Sequence, residues 1–378
     1  SDPATADWAI AQGHLDMAGL TRPHMADPHL VAKLLAGQEQ RIRPCVGAGY
    51  CIDGIYEIGN AACIHNPATG REAQVPQVLT RAAKARRVVV VGAGPAGLEA
   101  ARVAAERGHQ VTLFEAQAEA GGQVLLAAKL QRRREIIGIV DWRVAECERL
   151  GVTLRFNRYA EADDVLALAP DLVVVATGGL PNPSFLESGA ELVTTTWDLL
   201  SGQVAPQAEV LLYDDNGSHP GMTAAEFLAS KGAKVEIVTP ERSLAPEVGG
   251  TNYPIYFRAI SKAGAKVTLL ERLTAVRRQG NGLVGVFWNE YSRTTSERAA
   301  PKIVVEHGAL PVDELYFALK PHSSNLGEVD QQAWIAARPQ ALLRNPAGRF
   351  QLFRVGDAVA SRNVHAGIYE SLRLLMNL

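Results

Sequence analysis

What the chain lacks narrows its identity first. No apolar run approaches the roughly 18 to 20 residues needed to span a bilayer, and the N-terminus has no basic stretch followed by an apolar one. The reading is a cytoplasmic protein without a membrane partner. There is no surplus of either charge: 38 Lys and Arg stand against 40 Asp and Glu, for a formal net charge of -2. Such a balance gives no global attraction to nucleic acid, so small anionic ligands must be held by local geometry. Cysteine is also scarce, with four in 378 residues. Three of them crowd between Cys45 and Cys63, which is unlike a disulfide framework and suggests a metal or iron–sulfur site. What is present, 47% hydrophobic and 21% charged residues, suffices for a sizeable core divided into two or three domains.

Along the chain, Ala6 to Ala11 has a helical pattern and Leu15 to Leu20 reads as a short strand. Residues 41–71 are loop-rich and carry the three close cysteines, and a polar linker follows to Arg86. Arg87 to Val91 is then a β-branched run, Ala96 to Arg107 an Ala-rich helix and Val111 to Phe114 a second strand, which makes a βαβ unit. The pattern repeats with a strand at Val210–Tyr213, a helix at Thr223–Lys231 and a strand at Lys234–Val238. Further strands at Leu172–Val175 and Ile303–Glu306 close the respective units. Phe353 to Asp357 returns the chain to the first, so the second is expected to be inserted into it.

The first repeat carries the chemistry. In Val91-Gly92-Ala93-Gly94-Pro95-Ala96-Gly97, the first glycine permits the tight turn, the second lets backbone approach a pyrophosphate and the third lets helix pack on strand. The helix start at Pro95 and Ala96 offers unpaired N–H groups and a positive dipole end. Glu115, at the end of the second strand, is placed for ribose hydroxyls. Gly121-Gly122-Gln123 and Thr177-Gly178 are loops on the cofactor's expected path. Gly356-Asp357 ends a strand of the same sheet and favours FAD over NAD. In the second repeat Asn216, Ser218 and Gly221 stand where Gly92, Gly94 and Gly97 do, and Thr239 where Glu115 does. Two glycines and the ribose acid are missing, so this copy is read as mainly structural.

Cys45, Cys51 and Cys63 have the spacing C-x5-C-x11-C, and soft anionic thiolates suit iron. Three are one short of the usual four. His65 and Asp53 are alternatives for the fourth place, and reduced, partly buried thiols are the alternative to ligation. Cys147 lies at helical spacing from Val140 and Val144 and reads as core. His307, His365 and Tyr369 have no nucleophile or acid partner and read as structural. Arg22, after the Leu15–Leu20 run, is a candidate phosphate contact.

Together these residues resemble the trimethylamine dehydrogenase and 2,4-dienoyl-CoA reductase family, over essentially the whole chain. The resemblance implies an α/β fold: a Rossmann-like FAD/NAD(P)-binding domain (81–200 plus 300–378) with a second nucleotide-binding-like domain inserted (201–299). Before it would stand the remnant of an FMN-binding TIM barrel (1–40) and a cysteine segment with linker (41–80). Ala18 to Pro28 looks like the last barrel strand and phosphate loop, with Arg22 the implied FMN contact and the catalytic residues in the absent barrel. Ala48 stands where the family's cluster motif has its second cysteine. Asn216, Ser218 and Thr239 put the chain nearer the amine dehydrogenase branch, and Arg134–Trp142 and Ser361–His365 look most like N-methyl amine demethylases. That implies oxidation of a small methylated amine, with electrons leaving to an electron-transfer flavoprotein. The alternatives are an NAD(P)H-dependent enoyl or enone reductase and a non-catalytic ADP-binding scaffold. A homodimer is the alternative to a monomer.

Overall fold

A computed structural model describes residues 2–378, and its contacts divide them into two compact units. The first comprises the chain through Val124, Glu135–Gly178 and Val312–Leu378, and the second comprises Leu125–Arg134 and Gly179–Pro311. The second unit is therefore wider than residues 201–299 and includes a detached ten-residue piece.

In chain order the first unit has β1 (Arg87–Val91), β2 (Gln110–Phe114), β3 (Thr153–Arg155) and β4 (Leu172–Val175). The second has β5 (Gly179–Pro181), β6 (Thr194–Thr195), β7 (Glu209–Asp214), β8 (Lys234–Val238), β9 (Lys266–Thr268), β10 (Arg272–Gln279), β11 (Gly282–Asn289), β12 (Thr294–Ala300), β13 (Ile303–Glu306) and β14 (Ala309–Pro311), after which β15 (Gln351–Arg354) returns to the first.

The first sheet is parallel in the order β15-β4-β1-β2-β3. Val88 to Val91 and all of β4 are buried because helices cover both faces, which is why these strands read as continuous apolar runs rather than alternations. One face packs Val89, Val91, Phe114, Val173 and Val175 against Val165, Tyr316 and Leu319. On the other, the helix Pro95–Glu106 is buried from Gly97 to Ala105, with small alanines allowing close approach. The second unit repeats the plan with the parallel sheet β6-β13-β7-β8-β9 and adds an antiparallel β10-β11-β12 sheet.

The expected strand at Leu15–Leu20 does not form. That stretch is irregular, between the helices Pro3–Ala11 and Thr21–Ala26, and no barrel strand is present in residues 2–40. A strand needs a partner edge to satisfy its backbone, and none runs beside this one.

The charged centre of the first unit is Glu99, 1% exposed. Its carboxylate accepts from Arg102 Nη2 at 2.8 Å and Arg143 Nε at 2.8 Å, and Arg143 Nη2 donates to the His65 carbonyl at 2.9 Å. Burial pushes Glu99 up, but the two guanidinium groups overcome it and hold the carboxyl at about 2. Breaking a buried pair strands a charge. Arg143→Ala is therefore expected to destabilise the protein by about 3–5 kcal/mol in urea unfolding at pH 7; a loss below about 1 kcal/mol would refute this role for the pair.

Candidate functional site

The loop between β1 and the helix Pro95–Glu106 is shaped by two glycines for packing reasons and a third for none. Gly92 has φ +107, and a Cβ there would lie 2.2 Å from the Ala176 carbonyl oxygen. A Cβ at Gly97 would lie 1.9 Å from the Gly92 oxygen. Around Gly94, by contrast, a Cβ would meet no atom within 4 Å. Protein packing leaves that side open, and the helix beginning at Pro95 points its unpaired first-turn N–H groups out of its N-terminus.

Other expected residues gather here. Glu115 Oε2 accepts from Ala93 N at 2.7 Å and its Oε1 from Gln117 N at 2.8 Å, which sets the carboxylate beside the loop. Gly121 N donates to the Ala93 carbonyl at 2.9 Å, and a Cβ at Gly122 would lie 3.5 Å from the Gly94 Cα. Gln123 Nε2 donates to Asp357 Oδ2 at 2.7 Å. Burial pushes Asp357 up, although the Arg362 amide donates to its Oδ1 at 3.1 Å. Gly356, with φ +64, lies against Ala96, where a Cβ would come within 2.8 Å. Thr177 donates its hydroxyl to the Val312 carbonyl, and Val312 N donates to the Gly178 carbonyl at 3.0 Å. Two crossing segments are thus tied at the edge of the first sheet. Arg22 is exposed on the short helix Thr21–Ala26, not on a loop following a strand.

The cysteine segment belongs to the same unit. Cys45, Cys51 and Cys63 are partly buried free thiols, and Cys51 lies in the first turn of the helix Tyr50–Ile58, behind the left-handed Gly47 and Gly49. Burial pushes Cys63 up, while the amides of His65 and Asn66 act the other way. His65 Nδ1 donates to the Pro44 carbonyl and His365 Nδ1 to the Cys63 carbonyl, each at 3.0 Å. Among the described residues no three His, Cys, Asp or Glu side chains converge on a position for a single metal ion. In a four-iron cluster, unlike a two-iron one, each ligand binds a separate iron, so the donors of a four-iron cluster need not share one point. Cys147 is core as expected, fully buried and pushed up to about 12.

The loop of the second unit is built differently. The positive φ moves one position along, to Gly217 at +64, and Asp214 Oδ1 accepts from Asn216 N at 3.1 Å and Gly217 N at 3.0 Å. A Cβ at Gly221 would lie 2.1 Å from Asp214 Oδ2, so this glycine makes room for a side chain. Asp214 therefore fills the turn from inside. Beside it, Glu306 accepts from the Thr196 hydroxyl, from Asn216 Nδ2 at 3.1 Å and from Gly308 N at 3.1 Å. Asp215 accepts from Tyr213 and pairs with His307 Nδ1 at 2.6 Å. The sequence reading missed Asp214 and Glu306. The available signal was a carboxylate at the end of each of two apolar parallel strands.

Burial and the neighbouring Glu306 push Asp214 up to about 8. A carboxyl raised above its unfolded value of about 4 stabilises the fold fully below that value and loses the contribution as pH rises through about 8. Asp214→Asn is expected to leave the melting temperature nearly unchanged at pH 4 and to raise it relative to the parent by several degrees at pH 9. A difference independent of pH would contradict the assignment.

A family model described as pyridine nucleotide-disulphide oxidoreductase matches residues 65–199. Over that stretch the chain is similar to this family. The chain is similar over its length to two curated proteins: it is 54% identical over 377 residues to a probable N-methylproline demethylase of Rhizobium meliloti (strain 1021) and 46% identical over 390 residues to the N,N-dimethylglycine/sarcosine dehydrogenase of Chromohalobacter salexigens. These matches cover 100% and 99% of this chain but 56% of each relative, so the chain spans little more than half their length. The solved structure of histamine dehydrogenase from Rhizobium sp. 4-9 superimposes with a TM-score of 0.84 at 25% identity, over 98% of this chain and 56% of that one. No described helix is long and apolar enough to cross a membrane.

Proposed function

We propose that this chain is the nucleotide-binding, electron-transfer half of a flavin-dependent N-methyl amine dehydrogenase. The observation that carries this reading is the open side of Gly94, ringed by Glu115, Gly122 and the Gln123–Asp357 pair. The loop holds FAD or ADP: its glycines admit the pyrophosphate, and the helix N-terminus supplies donors and a favourable dipole. Glu115, oriented by the Ala93 and Gln117 amides, keeps lone pairs for ribose hydroxyls. The Cys45, Cys51 and Cys63 thiolates hold an iron–sulfur cluster. Flavin and cluster, when bound, supply the electron carriers that side chains lack.

The whole enzyme, on this reading, oxidises a small methylated amine on FMN, which Arg22 contacts, and delivers electrons to an electron-transfer flavoprotein. The relatives' names support the amine class. The self-filled second loop disfavours a nicotinamide partner, and with it the enone reductase alternative.

The test is the visible spectrum, iron content and released nucleotide of this chain purified without oxygen. Flavin bands at about 370 and 450 nm support FAD, whereas a colourless, iron-free protein releasing ADP leaves only a scaffold. Gly94→Ala is expected to weaken nucleotide binding at least about tenfold while lowering the stability of nucleotide-stripped protein by no more than about 1 kcal/mol, because its Cβ meets nothing in the fold. Unchanged nucleotide affinity would move the site elsewhere.

A further inference from the structure

The even charge balance of the whole chain, 38 Lys and Arg against 40 Asp and Glu, does not hold locally. The turn Arg107–Gln110, where the helix Pro95–Glu106 ends and β2 begins, is wrapped by residues 81–87. Ala82 N donates to the Arg107 carbonyl at 2.9 Å, Arg86 N to His109 Nδ1 at 3.2 Å and Gln110 N to the Arg86 carbonyl at 2.9 Å. Arg81, Lys84, Arg86, Arg87 and Arg107 are thereby gathered around one turn, and Arg81 Nε lies 3.8 Å from where a Cβ of Gly108 would stand. Arg81, Lys84 and Arg87 are exposed, and Arg86 and Arg107 are half-buried.

Several other guanidinium groups of this unit find a carboxylate, as Arg149 does in Glu146, Arg158 in Asp164 and Arg354 in Asp313. Around the turn only Arg87 does, with its Nε 3.9 Å from Asp171. Glu106, although next to Arg107 in the chain, pairs with Arg102. Among the described residues Arg81, Lys84, Arg86 and Arg107 have no ion pair. Arg86 Nη1 donates to the neutral Gln351 Oε1 at 3.2 Å, and Arg107 Nε is buried without a partner. Burial and then Arg86 push Arg107 down, and burial, Arg107 and Arg86 do the same to His109. A helix dipole favours a cation at the helix's C-terminal end, but it does not account for several that repel one another. Carboxylates from outside the fold would relieve that repulsion.

We propose that this face, built from residues 81–87 and the turn Arg107–Gln110, is a docking surface for an acidic stretch of a partner protein. The exposed Ala83 and Ala85 separate the charges, so a backbone carrying Asp and Glu can come close. Charge complementarity of this kind steers encounter and fixes register. These residues present no exposed aromatic ring on which a base would stack and no long apolar side chain to enter a bilayer. A chain of net charge -2 has no general attraction for polyanions either. The proposal is independent of the nucleotide reading. Arg87 starts β1 and Gly92 follows its end, so a strand of about 17 Å separates this face from the glycine loop. A docked partner leaves the Gly94 side open.

Fluorescence anisotropy of a labelled oligoglutamate peptide, titrated with the chain at about 50 mM salt, tests this. The expected result is binding that Arg81→Glu combined with Lys84→Glu weakens at least about tenfold and that about 500 mM salt abolishes. Lys129→Glu combined with Arg134→Glu, at exposed cations of the second unit, should leave it unchanged. Arg81 and Lys84 are exposed and unpaired, so their replacement is expected not to lower the melting temperature; if the double variant nonetheless fails to fold, Lys84→Ser alone should show the same loss in smaller measure. No binding of the peptide by the parent, equal affinity in the parent and the Arg81 and Lys84 variants, or an equal loss in the Lys129 and Arg134 variant would each overturn the proposal. So would tighter binding of a DNA duplex of equal charge, or of phosphatidylserine vesicles, than of the peptide.

Discussion

The first unit depends on one buried carboxylate. Glu99 lies two residues past Gly97, the glycine that brings helix onto strand, and its partners Arg102 and Arg143 are themselves nearly or fully buried. Burying three charges is costly in a low-dielectric interior, and the geometry shows what they hold. Arg143 spends its other donors on the carbonyls of Ile139 and His65. A helix that starts at the nucleotide loop, a second helix and the cysteine segment thus meet at one charge. Apolar residues of the same volume would fill this space, but they would not fix where a loop-rich segment with few apolar side chains comes to rest. Directional bonds do that.

The two parallel sheets show how little of a dinucleotide fold is needed to keep its scaffold. Both units pair four strands in the same order, β4-β1-β2-β3 and β13-β7-β8-β9, with only the outer strand placed differently along the chain, and both start a helix just beyond β1 or β7. The difference is confined to which group accepts the loop amides. In the first unit Glu115 reaches across from the next strand and leaves the Gly94 side open. In the second, Asp214 turns back from its own strand and occupies the turn. A carboxylate moved from one strand end to another converts a ligand-shaped loop into a self-sufficient one. The sheet beneath is indifferent to the exchange, because its stability comes from apolar burial on both faces.

Much of this was legible in the sequence, for physical reasons. β1 and β4 are short runs of valine, β2 and β8 are short segments rich in β-branched residues, and the spacing of Gly92, Gly94 and Gly97 has one well-known structural use, so elements and loop followed together. The convergence of Gly122, Gln123 and Asp357 followed from the parallel order, which brings strand ends to one edge. Leu15–Leu20 failed because apolar alternation does not reveal whether an edge is available to pair with. Residues 125–134 fall in the second unit because of side-chain contacts, such as Arg132 with Glu226 at 2.6 Å, that no local pattern encodes. β10 to β12 escaped notice for the opposite reason: their alternation is diluted by exposed Arg, Thr and Glu. The bonds of Glu306 to Asn216 and of His365 to Cys63 span about 90 and 300 positions, beyond the reach of spacing arguments.

The contacts of the first unit close on themselves. From the His65 carbonyl they run through Arg143 and Glu99 to the helix Pro95–Glu106. From there Ala96 meets Gly356, where glycine is needed because a Cβ would come within 2.8 Å, and Gly367, where a Cβ would lie 3.4 Å away. Gly367 belongs to the helix Val364–Leu375, whose first turn carries His365, and His365 bonds back to Cys63. The ring passes once through each feature assigned to a cofactor: the glycine loop, the Gly356–Asp357 turn and the cysteine segment. A closed ring of short, buried contacts resists independent movement of its parts, since shifting one means breaking bonds at two places. The ring is built from backbone carbonyls, one guanidinium group, a carboxylate and an imidazole, and on the proposed reading it would hold the bound groups at fixed separations.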